Sequence, residues 1–289
     1  MSTPRTVVEG VARSLRLGEK SFNIHRRPLV MAILNRTPDS FSEKGKYYAI
    51  DDLLRRSEQV ISQGADILDI GGVKAGPGPE VSQAEELDRV LPVVERLAKS
   101  FDIPISVDTW SATVAEESFR LGACIGNDIS GFQDPHYLEV AYKYGACVVA
   151  THIRLAPRVA DPQPHYNDLV NDVVGRLEEL SNMALAIGIR PDQIIVDAGL
   201  DLGKTSQQSL ELLRATDKLC ALGYPVLLSA SNKTFLGDLL GLEVELRRDA
   251  SLASAGVGVA LGARILRVHD VIGTRRLCDG LTLILEALR

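Results

Sequence analysis

The sequence is poor in the features that mark several other protein classes. It has four cysteines in 289 residues, and none forms a C-x-x-C pair, which argues against a zinc site or a dithiol redox motif. No apolar run approaches the roughly 18 residues of a membrane-spanning helix, and the N-terminus has no apolar core of signal-peptide length. Few, scattered cysteines are typical of a reducing compartment, so we predict a cytoplasmic protein.

Positive charge is also scarce relative to negative charge. The formal net charge is −6, whereas a general nucleic-acid binder carries a basic surface. We therefore expect neither nucleic acid nor a membrane surface as a partner. The remaining composition, with 45% hydrophobic and 24% charged residues, is that of an ordinary globular chain.

What the chain does contain is an alternation of short apolar segments with longer helical ones. Near-continuous apolar runs are typical of strands that are buried on both faces. Eight such runs are present, at residues 29–34, 67–70, 103–107, 124–129, 146–151, 194–196, 225–229 and 264–268. Helices are predicted at 49–64, 82–99, 111–121, 168–187, 206–222, 245–261 and 271–288. Several helical segments end at a glycine suited to the left-handed position after a helix.

Eight β/α units predict a single closed (β/α)8 TIM barrel over residues 28–289. A short N-terminal extension, residues 1–27, precedes it, and we expect a hairpin or strand there that caps the barrel bottom. The alternative is an open doubly wound sheet, which usually has a glycine-rich dinucleotide loop after its first strand. Here the first strand runs into Asn35-Arg36-Thr37-Pro38-Asp39 without such a loop, so the barrel is favoured.

Polar side chains follow seven of the eight predicted strands. In a barrel the chemistry lies at the C-terminal strand ends. A single polar residue there is equally well explained as a helix cap, but many on one face are costly to desolvate unless a ligand satisfies them. We therefore expect a polar heterocycle or a phosphorylated ligand. The residues are Asn35, Asp108, Asn127, Asp128, His152, Arg154, Asp197, Ser231, Lys233, Arg267 and His269.

Two motifs allow other interpretations. Gly203-Lys204-Thr205 resembles the end of a P-loop, but a P-loop needs glycine at position 198, where the chain has Ala198. Nucleotide hydrolysis by that motif is therefore excluded. Asp108 and Asp197 could form a general acid/base pair or face the N–H edge of a bound ring, and the residues alone do not decide between the two.

Seven motifs, in the right order, resemble those of dihydropteroate synthase. The match runs from about Arg27 to the C-terminus, and the L-N-x-T-P-D-S-F-S run is its most specific part. The motifs are I-L-N-R-T-P-D-S-F-S at 33–42, D-I-G-G at 69–72, S-V-D-T at 106–109, G-N-D-I-S-G at 126–131, V-D-A-G at 196–199, S-A-S-N-K-T-F-L-G at 229–237 and R-V-H-D-V at 267–271.

The resemblance implies an activity and a set of pterin contacts. The family joins p-aminobenzoate to hydroxymethyl-dihydropterin pyrophosphate and releases pyrophosphate, which makes dihydropteroate for folate synthesis. By that resemblance Asp108, Asn127 and Asp197 would hydrogen-bond the pterin ring and Lys233 would reach a ring acceptor. Arg267 would stack on the ring face, as a planar guanidinium can.

The resemblance also implies how the leaving group is held. Asn35 would hold Mg²⁺ on the pyrophosphate, and the catalytic pair Arg267 and His269 would bind the departing anion. The family is usually a homodimer built on its later helices. The partners expected from the resemblance are thus a pterin or pterin pyrophosphate and a second copy of the chain.

The chain departs from the family pattern beside the second substrate. The family's second loop reads G-G-E-S-T-R-P-G, but residues 71–78 place Ala75 and Gly76 where the family has threonine and arginine. Asn232 replaces the arginine of the family's S-R-K motif, and Leu202 replaces an aromatic residue. These departures predict weak or absent synthase activity with the pterin pocket kept.

Three alternatives remain open on the sequence alone. The chain could be an active synthase in which Arg154 or Arg158, from the long loop at 153–164, replaces the lost arginines, or in which Lys74 or Arg36 compensates. It could be a non-catalytic pterin-binding protein. It could also transfer a methyl group from a methylated pterin, because the family of enzymes that does so has the same barrel and the same aspartate and asparagine residues at the bottom of the pterin pocket.

Overall fold

The computed structural model describes residues 13–35 and 50–286 of the chain. These residues form one antiparallel hairpin, eight parallel strands and ten α-helices. The hairpin strands are β1 (Ser14–Leu17) and β2 (Lys20–Asn23). The parallel strands are β3 (Leu29–Asn35), β4 (Ile67–Gly71), β5 (Ile105–Asp108), β6 (Ile125–Asp128), β7 (Cys147–Thr151), β8 (Ile194–Asp197), β9 (Leu227–Leu228) and β10 (Ile265–Val268).

The eight parallel strands close on themselves. Their order follows the chain from β3 to β8, and β10 lies between β3 and β9. The last gap, between β8 and β9, is closed by a bridge that pairs Val196 with Val226, and the Val196 N–H donates to the Pro225 carbonyl at 3.0 Å. The predicted (β/α)8 barrel is therefore confirmed, and the open doubly wound sheet is wrong.

The helices surround this barrel, mostly one after each strand. They are α1 (Ile50–Ser62), α2 (Gln83–Ser100), α3 (Ala112–Arg120), α4 (Tyr137–Lys143), α5 (Leu169–Ile187), α6 (Ser206–Arg214), α7 (Thr216–Cys220), α8 (Thr234–Leu240), α9 (Arg248–Ala260) and α10 (Val271–Glu286). The single helix predicted over 206–222 is two helices that meet at Ala215. The short helices α4 and α8 were not predicted, because seven residues are too few to show a helical period.

Local sequence signals account for several helix ends. The Ser82 hydroxyl accepts from the Glu85 N–H at 3.2 Å, and Thr205 forms a capping box with Gln208. At the other end, Gly188 has φ 105° and its N–H donates to helix carbonyls. The other four glycines predicted after helices, at 64, 122, 223 and 262, also have positive φ. No helix in the described ranges is both long and apolar enough to cross a membrane.

The N-terminal hairpin closes one end of the barrel. Leu15, Leu17 and Ile24 are at most 1% exposed and pack in one apolar cluster with residues that begin the barrel strands, such as Ile67 and Ile125. The hairpin therefore fills the N-terminal, bottom end, as expected from the extension. Because the bottom is plugged, the open end is the C-terminal one, where the polar residues lie.

Candidate active site

The structure places the predicted site residues at one end of the barrel. Asn35, Asp108 and Asp197 are the last residues of their strands, and Asn127 is the second-last of β6. Lys233 precedes α8, Arg267 lies in β10 and His269 follows it. The first-loop residues 36–42 of the most specific motif lie outside the described residues.

Arg267 joins two carboxylates across the barrel mouth. Its Nε donates to Asp69 Oδ2 at 2.7 Å, and its Nη2 donates to Asp108 Oδ2. The Asn127 amide is directed at the same Asp69 carboxylate, with Nδ2 at 3.4 Å from Oδ1. Asp69 is fully buried. The three predicted residues Asp108, Asn127 and Arg267 are thus held together by a fourth that sequence reasoning did not place in the site.

The network shifts the pKa values of Asp108 and Arg267. Burial raises the pKa of the Asp108 carboxyl to about 7, with the Asp69 charge adding to the rise and Arg267 opposing it. Burial alone would lower the pKa of the Arg267 guanidinium, but Asp69 and Asp108 outweigh it and raise that pKa above its ordinary value. The guanidinium therefore stays charged and compensates both acids.

Asp197 lies on the same end of the barrel and is only 7% exposed. Its Oδ1 accepts the Gly199 N–H at 2.8 Å, whereas its Oδ2 accepts from no donor in the described parts of the chain. Burial raises the pKa of Asp197. Position 199 requires glycine, because φ is 64° and a Cβ there would lie 2.0 Å from the His152 carbonyl oxygen. The tight turn fixes the direction of the Asp197 carboxylate.

Lys233 is held from two sides by the loop that follows β8. Its Nζ donates to the Leu200 carbonyl at 3.0 Å. The Asp201 Oδ2 accepts the Thr234 N–H at 2.6 Å, at the first residue of α8 directly after Lys233. Burial lowers the pKa of Lys233, and the charges of Asp201 and Asp197 oppose that effect. Asp201 is a second positioning residue that was not predicted from the sequence.

Lys204 is an internal anchor rather than a phosphate ligand. Its Nζ lies 3.0 Å from His152 Nδ1 and donates to the carbonyls of Gly199 and Leu202 at 2.9 Å. Burial lowers the pKa of Lys204 to about 7 and that of His152 to about 3, so the imidazole is neutral and accepts at Nδ1. The P-loop interpretation of Gly203-Lys204-Thr205 therefore fails on structure as well as on spacing.

His269 and Ser231 form a second pair at the mouth. The Ser231 hydroxyl lies 3.0 Å from His269 Nδ1 and accepts the His269 backbone N–H at 3.2 Å. Desolvation lowers the pKa of His269 to about 4, and the positive charges of Arg267, Lys233 and Arg56 reinforce the shift. A neutral imidazole among cations is a donor suited to an anion.

Asn35 lies beside this network at the end of β3. A Cβ at Gly71 would lie 2.8 Å from Asn35 Oδ1 and 3.4 Å from Asp108 Cβ, so only glycine leaves room for the amide. Within residues 13–35 and 50–286, no group of three His, Cys, Asp or Glu side chains could hold a metal ion. Mg²⁺ is often held by one or two protein oxygens, usually carboxylates, with waters and substrate phosphates as its other ligands, and an amide oxygen is the same kind of hard donor. A single amide oxygen fits that pattern.

The loop after β7 reaches the loop after β4, and the strands β5 and β6 lie between them. Arg158 makes the contact. Its backbone N–H donates to the Ala75 carbonyl at 3.1 Å, its Nη1 to the Lys74 carbonyl at 3.4 Å, and its Nη2 to the Pro79 carbonyl. We call residues 152–167 the strap, because they follow β7 and reach the loop that follows β4.

Arg154, the other arginine of the strap, pairs with an acid of the strap itself. Arg154 forms a two-point ion pair with Asp161, whose side chain is 7% exposed. The Tyr166 hydroxyl donates to the Gly203 carbonyl at 2.7 Å. Arg154 therefore stabilises the base of the strap, and Arg158 is the arginine that reaches the second loop.

Known proteins match this chain over nearly its whole length. The model of the pterin binding enzyme family matches residues 31–269. The chain is 39% identical over 265 residues to a dihydropteroate synthase of Clostridium beijerinckii, covering 91% of this chain and 96% of that protein. It is also 39% identical to a protein of Mycobacterium leprae named inactive dihydropteroate synthase 2, covering 88% of this chain and 89% of that one.

A solved structure agrees. The Yersinia pestis dihydropteroate synthase, determined with a sulfonamide drug complex, superimposes with a TM-score of 0.87 at 38% identity, covering 95% of this chain and 98% of that one. The chain belongs to the dihydropteroate synthase family. The similar proteins thus include some named as synthases and some named as inactive.

The departures from the family pattern at positions 75, 76 and 232 lie in loops beside the strand-end network. Ala75 and Gly76 stand in the exposed second loop of this family member, and a Cβ at Gly76 would meet no atom within 4 Å. Asn232 adopts φ 57°, with its N–H donating to the Ser251 hydroxyl at 3.0 Å. Asparagine tolerates this left-handed conformation better than most residues.

Proposed function

We propose that the chain binds a pterin on its strand-end network and has weak or absent dihydropteroate synthase activity. One observation carries the proposal: the network of Asp108, Asn127, Asp197, Lys233 and Arg267 is complete, while the second loop beside it has Ala75 and Gly76. Membership of the family supports the pterin, and the similarity to proteins named inactive is compatible with the weak activity.

Each residue of the network offers the pterin a different contact. A pterin presents amino and ring N–H groups along one edge, and the Asp197 Oδ2 is available to accept from them. Asn127 supplies both a donor and an acceptor. Lys233 is a donor held in place at Leu200. Arg267, fixed by Asp69 and Asp108, presents a planar cation against which a ring can stack.

The step that we expect to be slow in this protein is the departure of pyrophosphate. Pyrophosphate departure requires fixed positive charge and aligned hydrogen-bond donors. In this proposal Arg267 supplies charge, and the neutral His269 imidazole supplies a donor. Mg²⁺, when bound with Asn35 as its protein ligand, would neutralise charge on the pyrophosphate. Gly76 and Asn232 stand where the family has arginines, and each lost charge-assisted contact is worth about 1.5–3 kcal/mol. That is roughly ten- to a hundredfold each at about 1.4 kcal/mol per decade.

Asp197→Asn is expected to weaken pterin binding about tenfold or more, because a carboxylate that accepts the pterin N–H edge becomes a neutral amide. Calorimetric titration of a hydroxymethyl pterin into the full chain measures the change. Asp217→Asn, a carboxylate at the other end of the βα unit, serves as the control and should bind like wild type. A wild-type protein that binds no pterin would end the proposal.

Pterin affinity is expected to weaken as the pH falls through about 7. The ionised Asp108 is the form that accepts from the pterin, and its pKa in the free protein is about 7. Below that pH, binding must first remove a proton, so affinity falls by up to about tenfold per pH unit. Titrations between about pH 5 and pH 8.5 test this, and Asp108→Asn should flatten the profile. An unchanged slope in Asp108→Asn would assign the pH effect elsewhere.

An active synthase remains the second candidate, and one observation favours it. The Arg158 guanidinium contacts the carbonyls of Lys74 and Pro79, within the loop that lacks the family arginine. Growth of a strain that lacks dihydropteroate synthase, when it expresses this chain, would favour that candidate. Failure to grow, with normal expression and pterin binding, would favour the weak synthase or a non-catalytic pterin-binding protein.

The homodimer implied by the resemblance is also a proposal. Exposed apolar side chains on the later helices, among them Leu240, Leu246, Leu283 and Ile284, offer a surface for it. Sedimentation of the full chain measures the oligomeric state directly.

A further inference from the structure

We infer that Arg158 is a binding residue for the carboxylate of a second ligand that sits beside the pterin. The inference rests on the proposed function, since it concerns the same barrel mouth. Arg158 belongs to the strap rather than to the second loop, and it docks on that loop through its backbone and side chain. The second loop, which has Gly76 in place of the family arginine, thus holds a guanidinium from a segment about 80 residues further along the chain, which we assign to the acceptor and not to the pyrophosphate.

The partners of Arg158 among the described residues carry no negative charge. Both side-chain contacts go to backbone carbonyls, which accept hydrogen bonds and carry no net charge. In contrast, Arg154 is neutralised by Asp161, and Arg267 by Asp69 and Asp108. Within the described parts of the chain, Arg158 has no carboxylate partner. A fixed cation of this kind favours an anion nearby, because its position costs no further ordering when the anion binds.

The backbone of Arg158 points to the same role. Its φ is 67°, in the left-handed region that non-glycine residues seldom adopt. Such a conformation costs on the order of 1–3 kcal/mol and persists only where the surroundings determine it. Here the surroundings are the second loop: the strained residue donates its N–H to Ala75, and its Nη2 lies 3.2 Å from a Cβ position at Gly78.

The strand order places this contact at the same end of the barrel as the pterin network. The strap starts at β7 and the second loop starts at β4, and the two strands between them in the sheet, β5 and β6, carry Asp108 and Asn127. The space at Gly76, beside the contact, is open. In this inference, an acceptor bound beside the pterin directs the end away from the pterin toward this space. The matching chemistry is an acceptor with a carboxylate at that end.

The test compares two acceptors of the same shape, one with a carboxylate and one with an uncharged amide. p-Aminobenzoate and its uncharged amide, p-aminobenzamide, are titrated into the full chain, both free and saturated with pterin. Wild type should bind the carboxylate about tenfold or more tightly than the amide. Arg158→Gln should remove the preference, and Arg158→Lys should keep part of it. Equal binding of both acceptors by wild type, in both states, overturns the inference.

A control variant separates the effect of the Arg158 charge from the effect of a less ordered strap. Arg154→Gln/Asp161→Asn breaks the ion pair of the same strap without changing net charge, and tryptic cleavage after Lys74 reports how far the second loop opens. The inference holds if this variant keeps the carboxylate preference that Arg158→Gln loses. It fails if both lose it equally, or if Arg158→Gln weakens inorganic pyrophosphate alone. Absence of pterin binding with the preference intact would instead refute only the proposed function.

Discussion

Arg267→Met is expected to lower the free energy of unfolding by about 3–5 kcal/mol at neutral pH and to abolish pterin binding. The guanidinium donates to Asp69, which is fully buried, and to Asp108, whose side chain is 13% exposed. Removing it leaves two carboxylates facing each other with no cation between them. Denaturant unfolding at constant pH measures the loss, and titration with a pterin measures the binding.

Two further variants show whether the loss comes from charge. Arg267→Lys keeps the charge but not the two-point geometry, so it should lose less stability than Arg267→Met. Adding Asp69→Asn to Arg267→Met removes the most buried of the uncompensated charges and should recover part of the stability. If Arg267→Met unfolds within about 1 kcal/mol of wild type, the network is not held together as described.

Gly76→Arg is expected to raise the rate of pyrophosphate release by about ten- to a hundredfold. It restores the family residue in the second loop, and the structure leaves room for it: a Cβ at position 76 meets no atom within 4 Å. Asn232→Arg restores the other family arginine but meets a local obstacle, since φ at 232 is 57° and the new side chain would bear strain of about 1–3 kcal/mol. Gly76→Arg is therefore the cleaner single change.

Gly76→Met is the matched control for this gain. It adds a side chain of comparable length without charge, so any improvement from a stiffer loop would appear there too. The expected outcome is a gain confined to the arginine variant. No gain in Gly76→Arg, or the same gain in Gly76→Met, would show that the second loop does not limit the reaction. Adding Asn232→Arg then asks whether the two positions act together.

The barrel could be predicted because its signal is repeated and local. Each strand is a largely buried apolar run, and several of the following helices have a side-chain cap or a glycine after their last turn, so many weak signals reinforce one another. The polar strand ends follow from the same pattern, since a barrel brings them together at one end. The break at Ala215 and the short helices α4 and α8 were not predictable, because packing sets such ends and not the period of the sequence.

The partners in contacts between residues far apart in the chain could not be predicted. Asp69 lies inside an apolar run, and only the fold shows that Arg267, 198 residues away, compensates it. A lone acid within such a run was nevertheless a usable signal, because a buried carboxylate needs a partner. Arg158 was named on sequence as one of two arginines able to reach the mouth; its docking on Lys74 and Pro79, and the commitment of Arg154 to Asp161, depend on tertiary structure.

The most direct test of the account is the rate of pyrophosphate release by the wild-type chain. It is measured with hydroxymethyl-dihydropterin pyrophosphate and p-aminobenzoate both saturating, in protein already shown to bind a pterin. The Clostridium beijerinckii synthase, assayed alongside, supplies the reference. We expect a rate at or below about one hundredth of that reference. A rate within about threefold of the reference would contradict the claim that the lost arginines at Gly76 and Asn232, and not the pterin network, limit the rate of the reaction.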